Sequence, residues 1–377
     1  MVDRILYSNI SKNLFKEKVI ILYGPRQVGK TTLLKNIFNE FTGEKQFVDC
    51  DIEINRQQFT NVNIEQLKLV LGNTKLLCID EAQRVPNIGL TLKILADNFK
   101  QLQVIATGSS SFEIANKVNE PLTGRKFEYL LLPMATQELC INHGGIIENA
   151  ALESRLIYGY YPEIINHPED ARLRLEELSK SYLYKDILEF EEIRSSSLLG
   201  NLLKALAYQV GSQVSYNELA LLTRSSPKTV ERYINLLEQT FVIFRLKSFS
   251  RNLRNELSKS MKIYFYDNGI RNAIISAFAP ITLRDDTGIL WENYLVSERM
   301  KYQQNNRLFR NSYFWRTTQQ QEIDYIEEYE NMVHAYEFKY GVTKQPKLTK
   351  TFGNAYPNNT FEVINRENYL SFIGVGT

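Results

Sequence analysis

Gly24-Pro25-Arg26-Gln27-Val28-Gly29-Lys30-Thr31 is the stretch of sequence that decides the fold, and Thr32 follows it. It matches the phosphate-binding pattern G-x-x-x-x-G-K-[S/T] at every position. The two glycines allow the backbone to curl until successive N–H groups converge on one phosphate. Lys30 is expected to reach the β- and γ-phosphates of a nucleotide, and Thr31 to bind a magnesium ion. We therefore predict that residues 24–32 bind a nucleotide.

The sequence around this loop has the alternation of a P-loop domain. An apolar run at residues 19–23 predicts a strand that enters the loop, and residues 31–41 predict a helix that leaves it. The positive end of that helix adds to anion binding. Further predicted strands alternate with helices as far as about residue 135. The pattern predicts an α/β fold with a parallel sheet covered on both faces over residues 1–135.

Two adjacent acids follow a separate apolar strand, Leu76 to Ile79. Asp80, at the end of this strand, is expected to hold the magnesium ion through its water. Glu81 is expected to act as the general base that polarises the attacking water. The alternative is a solvated acidic turn that caps the next helix. Beside an intact phosphate-binding loop, we prefer the catalytic interpretation, because two adjacent acids suit hydrolysis.

Three further residues are candidates for this site. Thr107 or Ser109, at the end of another predicted strand, could lie beside the γ-phosphate and report hydrolysis. A Ser-rich turn without that role is the alternative. Arg125 could stabilise the charge of the transition state, from its own chain or from a neighbouring copy, or it could be a surface arginine that opens a strand.

Composition limits the other classes of function. The 377 residues carry a net charge of +2, so nucleic-acid binding would need a local basic patch. Cys50, Cys78 and Cys140 form no CxxC pair, which favours a reducing compartment. No stretch approaches eighteen apolar residues. We expect a cytoplasmic protein without a membrane segment.

The chain beyond residue 135 divides into three predicted parts. Residues 136–195 are helical, residues 196–255 have the helix-helix-helix-strand layout of a winged helix-turn-helix, and residues 256–377 mix strands and helices. Basic residues cluster around the second part, with Tyr233, Phe244 and Phe249 among them. This cluster predicts contact with DNA, whereas a winged helix that only packs against protein is the alternative. The basic residues are Lys228, Arg232, Arg245, Lys247, Arg251, Arg254, Lys259 and Lys262.

Several runs resemble a family of prokaryotic AAA-type P-loop ATPases with a C-terminal domain of uncharacterised function. The resemblance spans nearly the whole chain and implies an ATPase core, a helical lid at 136–195, a winged helix, and a restriction-endonuclease-like domain at 256–377. The carrying runs are Tyr23-Gly-Pro-Arg-Gln-Val-Gly-Lys-Thr-Thr32, Ile79-Asp-Glu-Ala-Gln-Arg-Val-Pro86, Thr107-Gly-Ser-Ser110, Leu122-Thr-Gly-Arg125, Glu292-Asn293, Ile323-Asp324 and Tyr336-Glu-Phe-Lys339.

The last of these runs resembles the PD-(D/E)xK nuclease core. Asp324 and Glu337 would lie on adjacent strands of a hairpin and hold a metal ion, with Glu292 from the preceding helix as a third ligand. Lys339 would orient or activate the attacking water. Ile323 stands where the motif has its proline. The alternative is a satisfied Glu–Lys pair on a β-hairpin without nuclease activity.

Together these patterns predict an enzyme that hydrolyses ATP with Mg2+ and couples hydrolysis to a DNA-associated activity. The alternative is a nucleotide-controlled switch or scaffold that binds a protein partner and carries an inert nuclease-like domain. ATP is the expected ligand, DNA or protein the expected partner, and an oligomer is compatible with both hypotheses. No membrane partner is expected.

Overall fold

The computed structural model describes residues 2–109, 122–188, 196–250, 261–343 and 346–376, with only the backbone described for residues 181–188. The chain divides into two compact units. The first contains Met1–Pro133 with Gln239–Phe241, and the second contains Met134–Glu238 with Val242–Thr377.

The first unit is built on a five-stranded parallel sheet with the strand order β2-β3-β4-β1-β5. Because β4 separates β1 from β3, the carboxyl ends of these three strands meet at one edge of the sheet. The strands are β1 (Val19–Tyr23), β2 (Lys45–Asp49), β3 (Leu76–Asp80), β4 (Gln103–Gly108) and β5 (Lys126–Leu130). The helices are α1 (Ile5–Ser11), α2 (Lys30–Glu40), α3 (Glu53–Gln57), α4 (Ile64–Leu71) and α5 (Ile88–Asn98).

The central strands are mostly apolar because both of their faces are covered. Every residue of β3 and β4 is buried, as are the first four residues of β1. This continuous burial is what distinguishes a parallel sheet from a half-exposed antiparallel one. The predicted α/β fold with a parallel sheet is thus confirmed. After β3 the chain forms a 3-10 turn at Ala82–Arg84 before α5 begins at Ile88.

The second unit begins with helices that the sequence assigned to a lid. They are α6 (Thr136–His143), α7 (Gly145–Ala150), α8 (Leu152–Tyr158), α9 (Pro162–Asn166) and α10 (Ala171–Leu188). These helices and the turn between α8 and α9 bond to the C-terminal part of the chain: the Thr136 and Tyr294 hydroxyls are 2.9 Å apart, and the backbone N–H of Tyr160 donates to Asp267 at 2.7 Å. Residues 136–188 therefore belong to the second unit. Residues 189–195 of the predicted lid lie outside the described residues.

Three helices and a hairpin of two strands follow between Ser196 and Phe265. An isolated β-bridge pairs Gln213 with Lys262, so the order in this segment is helix, bridge, helix, helix, hairpin. The helices are α11 (Ser196–Tyr208), α12 (Tyr216–Thr223), α13 (Pro227–Gln239), α14 (Asn268–Ile274), α15 (Thr287–Asn305), α16 (Lys350–Ala355) and α17 (Tyr369–Phe372).

The six-stranded sheet of this unit has the order β11-β10-β9-β8-β6-β7. β6 pairs antiparallel with β7 and parallel with β8. The predicted boundary at residue 255 therefore runs between two strands of one sheet. The strands are β6 (Ile243–Ser248), β7 (Met261–Phe265), β8 (Asn311–Arg316), β9 (Glu322–Tyr329), β10 (Met332–Phe338) and β11 (Asn359–Ile364).

In the described ranges, no helix combines the length and the apolar character needed to cross a membrane.

Asp267 fastens three parts of the second unit, which makes it a test of this packing. It is buried, accepts the Tyr160 N–H, and caps α14 by accepting the Ile270 N–H at 3.1 Å. We expect Asp267→Ala to lower the free energy of unfolding by about 2–4 kcal/mol, from a lost cap and an unpaired buried N–H group. Urea unfolding measures this. Asp285→Ala, at an exposed neighbouring acid, should change it by less than about 0.5 kcal/mol.

Candidate functional site

The phosphate-binding loop joins β1 to α2 through two glycines with positive φ angles. Gly24 has φ +148°, and a Cβ atom there would lie 2.0 Å from the carbonyl oxygen of Leu131. Only glycine fits so close to the neighbouring backbone. Gly29 has φ +94° and immediately precedes α2, so the chain turns directly into the helix N-terminus. This is the backbone shape that directs N–H groups at an anion.

Lys30 lies at the mouth of this loop. Its side chain is buried, and its Nζ donates to the carbonyl oxygens of Gly24 at 2.9 Å and Pro25 at 2.7 Å. The ammonium group is therefore held over the loop.

Arg4, which was not predicted from the sequence, holds the phosphate-binding loop through hydrogen bonds to backbone carbonyl groups. Its guanidinium donates to the carbonyl oxygens of Val28 at 2.8 Å and Leu132 at 2.7 Å. Arg4 precedes α1, a helix with no motif around it. No local sequence signal connects Arg4 with a loop more than twenty residues away.

A hydroxyl group connects the two predicted acids at the end of β3. The Thr107 hydroxyl, at the end of β4, donates to Asp80 Oδ1 at 2.5 Å and accepts the backbone N–H of Glu81 at 3.1 Å. Thr107 is fully buried and Asp80 is nearly so. Of the two candidates for a reporting residue, Thr107 thus makes direct contact with both acids.

Ser109 reaches the acids only through Gln83. The Gln83 side-chain amide donates to the Glu81 carboxylate and to Ser109 Oγ at 3.2 Å. The Asp-Glu-Ala-Gln run contained Gln83, but its spacing gave no reason to assign it a role.

The oxygen donors of this site suit a magnesium ion bound with a nucleotide. Thr31 is the second residue of α2, and Asp80 ends β3, whose neighbour β4 also adjoins β1. A hydroxyl and a carboxylate are hard ligands of the kind that Mg2+ prefers beside phosphate oxygens. Lys30 supplies the positive charge and Glu81 a second carboxylate. The arrangement has the groups needed to bind a nucleoside triphosphate and to activate water.

Arg125 is found elsewhere, which corrects the expectation that it acts on the phosphates of its own chain. Its carbonyl oxygen accepts the N–H of Val19, so it lies at the amino end of β1, whereas the loop follows the carboxyl end. Its guanidinium pairs with Asp97 at 2.6 Å. Five residues of strand separate the two ends by about 16 Å.

The predicted nuclease residues Asp324, Glu337 and Lys339 converge in the second unit. Lys339 Nζ lies 2.7 Å from Glu337 Oε1 and 3.9 Å from Asp324 Oδ2. Asp324 also accepts the N–H of Phe338 at 2.8 Å. Burial raises the pKa of Asp324, and burial together with Asp324 raises the pKa of Glu337. The hairpin of β9 and β10 brings the residues together as expected, and a lysine lies between the acids.

Glu292 has a lysine partner too. Lys262 Nζ, which is buried, lies 3.0 Å from Glu292 Oε1 and 2.5 Å from Glu322 Oε1. The Tyr264 hydroxyl donates to Glu292 at 2.7 Å. Burial, opposed by Lys262 and reinforced by Asp324, raises the pKa of Glu292 to about 7. Although burial opposes its charge, the carboxylates raise the pKa of Lys262.

These contacts do not fit the expected metal site of Glu292, Asp324 and Glu337. Within the part of the chain that the structure describes, no three His, Cys, Asp or Glu side chains are grouped so as to hold a metal ion. Lys262 and Lys339 already form ion pairs with these acids. A divalent ion would have to displace an ammonium group.

The predicted basic surface is smaller than the sequence suggested. Lys262 is buried, and Arg245 is bonded to Glu238 and Tyr216. The interleaved aromatic residues Tyr233, Phe244 and Phe249 are at most 7% exposed and form core rather than a stacking surface. Lys228, Arg232 and Lys247 are exposed. Arg251, Arg254 and Lys259 lie outside the described residues.

Three family descriptions match this chain. Residues 16–140 match "AAA domain", residues 149–280 match "Domain of unknown function (DUF8612)", and residues 287–372 match "Domain of unknown function (DUF4143)". The phosphate-binding loop, the acids of β3 and Thr107 all fall within the first match. Residues 16–140 are thus similar to an AAA domain, whereas the descriptions of the other two matches assign no function.

The chain is also similar to uncharacterised proteins and, weakly, to a solved structure. The chain is 23% identical over 353 residues to an uncharacterised protein of Mycobacterium tuberculosis, covering 92% of this chain and 76% of that protein. It is 28% identical over 336 residues to an uncharacterised protein of Methanocaldococcus jannaschii, covering 81% and 72%. The Thermotoga maritima RuvB Holliday junction branch migration motor aligns at 18% identity over 65% of this chain and 90% of that chain, with a TM-score of 0.30. That score is too low to establish a common overall fold.

Replacing Lys262 tests whether lysines, rather than a metal ion, neutralise the acids of the second unit. Lys262→Met should lower the free energy of unfolding by about 1.5–3 kcal/mol, because it removes the buried cation that bonds to the half-buried carboxylates of Glu292 and Glu322. Lys247→Met, at an exposed lysine on the adjacent strand β6, should change it by less than about 0.5 kcal/mol.

Added metal provides the complementary measurement. Without nucleotide, the melting temperature of the wild-type protein should be the same in EDTA and in millimolar Mn2+. A rise in Mn2+ that Asp324→Asn abolishes would contradict the interpretation.

Proposed function

We propose that this protein binds ATP with Mg2+ and hydrolyses it in its first unit. The observation that carries the proposal is the Thr107 hydroxyl, which joins Asp80 and Glu81 on the strand next to the phosphate-binding loop. An acidic turn that merely capped the following helix would not require a buried hydroxyl bonded to the Asp80 carboxylate and to the Glu81 backbone N–H. The match of residues 16–140 to an AAA domain supports the same function.

Each residue has a distinct part in the proposed reaction. Backbone N–H groups of residues 24–32 and the N-terminus of α2 hold the phosphates, and Lys30 neutralises the β- and γ-phosphates. Thr31 and Asp80 would hold Mg2+, which neutralises charge that develops during phosphoryl transfer. Glu81 takes a proton from the attacking water. Thr107 holds the Asp80 carboxylate and the Glu81 backbone in fixed positions while charge develops on the phosphates.

Two substitutions separate nucleotide binding from hydrolysis. Lys30→Ala should weaken ATP binding by about 10- to 100-fold, the value of a lost charged contact. Glu81→Gln should leave the Kd for ATP within about twofold and lower kcat by about 10²- to 10⁴-fold. Fluorescent-nucleotide titration and a phosphate-release assay measure the two effects.

Lys35→Ala is the matched control, because Lys35 is an exposed lysine on the same helix, α2. It should behave as wild type in both assays. If Glu81→Gln hydrolyses ATP at the wild-type rate, Glu81 is not the general base.

We also propose that hydrolysis is coupled to contact with DNA through a winged helix at residues 196–265. The order helix, bridge, helix, helix, hairpin supports that fold. Lys228 and Arg232 lie four residues apart near the start of α13, and both are exposed. Residues with this spacing lie on one face of a helix. The corresponding helix of a winged helix presents its N-terminal residues to DNA.

Charge reversal tests this contact. The double variant Lys228→Glu/Arg232→Glu should bind DNA more weakly, and the slope of log K against log salt should fall by about 2, since two phosphate contacts are lost. Gel shifts at several salt concentrations measure it. Lys347→Glu/Lys350→Glu, with the same charge change at two exposed lysines, is the control. Absence of binding to any DNA at low salt would favour a protein partner instead.

For the C-terminal part we propose a nuclease-like fold that supports the protein without cleaving DNA. The convergence of Asp324, Glu337 and Lys339 supports the fold, and the lysine partners of the acids argue against a bound metal ion. This combination favours a supporting or partner-binding role for the second unit.

A further inference from the structure

Gln83 is a buried side chain whose hydrogen bonds are incomplete. Its Nε2 group donates to the Glu81 carboxylate and to Ser109 Oγ. Its Oε1 atom is buried and has no hydrogen-bond partner among the residues that the structure describes. A buried amide oxygen left unpaired is destabilising. A residue that filled the same space without polar atoms would avoid this cost, so the amide group needs an explanation.

The orientation of the amide is fixed by its neighbour. Exchanging the Gln83 oxygen and nitrogen would bring an amide oxygen against the Glu81 carboxylate, and two acceptors cannot share a hydrogen bond. Nε2 must therefore face Glu81. The unpaired Oε1 is consequently a fixed acceptor on the same amide that holds the proposed general base.

The backbone is arranged to make this contact. Glu81 has φ +51°, in the left-handed region, and caps the 3-10 turn Ala82–Arg84. The turn closes with the Arg84 N–H donating to the Glu81 carbonyl at 2.9 Å. It brings Gln83 back to Glu81 through a left-handed backbone conformation that is unfavourable for a residue with a Cβ atom. Such costs are found where function requires a particular geometry.

We infer that Gln83 positions the water that attacks ATP. The water donates one hydrogen bond to the Glu81 carboxylate and the other to Gln83 Oε1, which directs its lone pair at the γ-phosphorus. The water oxygen bonds to that phosphorus as the bond to the bridging oxygen breaks, and ADP leaves with the electron pair. The proton passes to Glu81 and then to solvent. Gln83 exchanges no proton and is a positioning residue.

The inference rests on the proposed ATPase function and assigns a task that neither Asp80 nor Thr107 performs. The Thr107 hydroxyl bonds to the Asp80 carboxylate and to the Glu81 backbone N–H, so this contact fixes the backbone position of the acid. Only Gln83 contacts the Glu81 carboxylate itself among the hydrogen bonds described for this site. Its loss should therefore affect the reacting state and spare the ground state.

Gln83→Met tests the inference because it keeps the length of the side chain and removes its hydrogen bonds. Three quantities are measured: the Kd for a non-hydrolysable ATP analogue, the Kd for ADP with aluminium fluoride, which mimics the reacting phosphoryl group, and the single-turnover rate. The analogue Kd should stay within about twofold. The aluminium fluoride complex should weaken, and the rate should fall, by about 10- to 100-fold, as expected for a misplaced reactant.

Gln46→Met is the matched control. Gln46 lies on β2 and also has a buried Oε1 atom without a partner, but it does not contact Glu81. It should leave all three quantities unchanged. In a Glu81→Gln background, adding Gln83→Met should lower the rate by less than about threefold, because the two residues act on one water.

The outcomes separate this inference from the proposed function. Wild-type hydrolysis together with a wild-type rate in Gln83→Met would overturn the inference alone. An equal loss of affinity for the analogue and for the aluminium fluoride complex would show a merely structural role and would also overturn it. A wild-type protein that neither binds nor hydrolyses ATP would overturn the proposed function and the inference with it.

Discussion

The hydroxyl group of Thr107 bonds to Asp80 and to the backbone of Glu81, and this contact exists because β4 lies between β1 and β3. Neighbouring strands are about 4.8 Å apart, so the phosphate-binding loop and Asp80 end up about 10 Å apart at one sheet edge. A nucleotide phosphate with its magnesium ion spans such a gap. Strand order thus determines which residues meet. As a result, Asp80 and Glu81 lie beside the phosphate-binding loop, whereas Arg125 lies at the opposite end of β1.

The two units treat buried acids in opposite ways. In the first unit, the Asp80 carboxylate accepts the Thr107 hydroxyl and the Glu81 carboxylate accepts the Gln83 amide, so neither carboxylate is paired with a cation in the described contacts. In the second, Lys262 and Lys339 form ion pairs with Glu292, Glu322, Asp324 and Glu337. Uncompensated carboxylates suit binding of Mg2+, whereas paired ones suit a stable core. This contrast is the basis for proposing chemistry in the first unit and support in the second.

A feature could be predicted from the sequence when the residues that form it lie close together along the chain. The loop at residues 24–32 and the acids after β3 were predictable because the chemistry needs residues at short, fixed spacings. The hairpin with Asp324 and Glu337 was predictable for the same reason. Lys262 was assigned to a DNA surface because its partner Glu292 lies thirty residues away, and Phe244 was assigned to stacking because only packing reveals that it is core. The pairing of β6 with β8 joins strands more than sixty residues apart, and the periodicity of apolar residues within a strand does not predict its partner. Gln83 stood inside a quoted motif, yet its role became visible only with the left-handed backbone of Glu81.

The most direct measurement for the central claim is a crystal structure of the protein with Mg2+ and a non-hydrolysable ATP analogue. The account predicts that Lys30 Nζ leaves the carbonyl oxygens of Gly24 and Pro25 and contacts the β- and γ-phosphates. It also predicts an ion held by Thr31 and, directly or through water, by Asp80, with the bond from Thr107 to Asp80 retained. An analogue bound elsewhere, or a Lys30 that stays on the loop carbonyls while Asp80 makes no contact with the ion, would contradict the account.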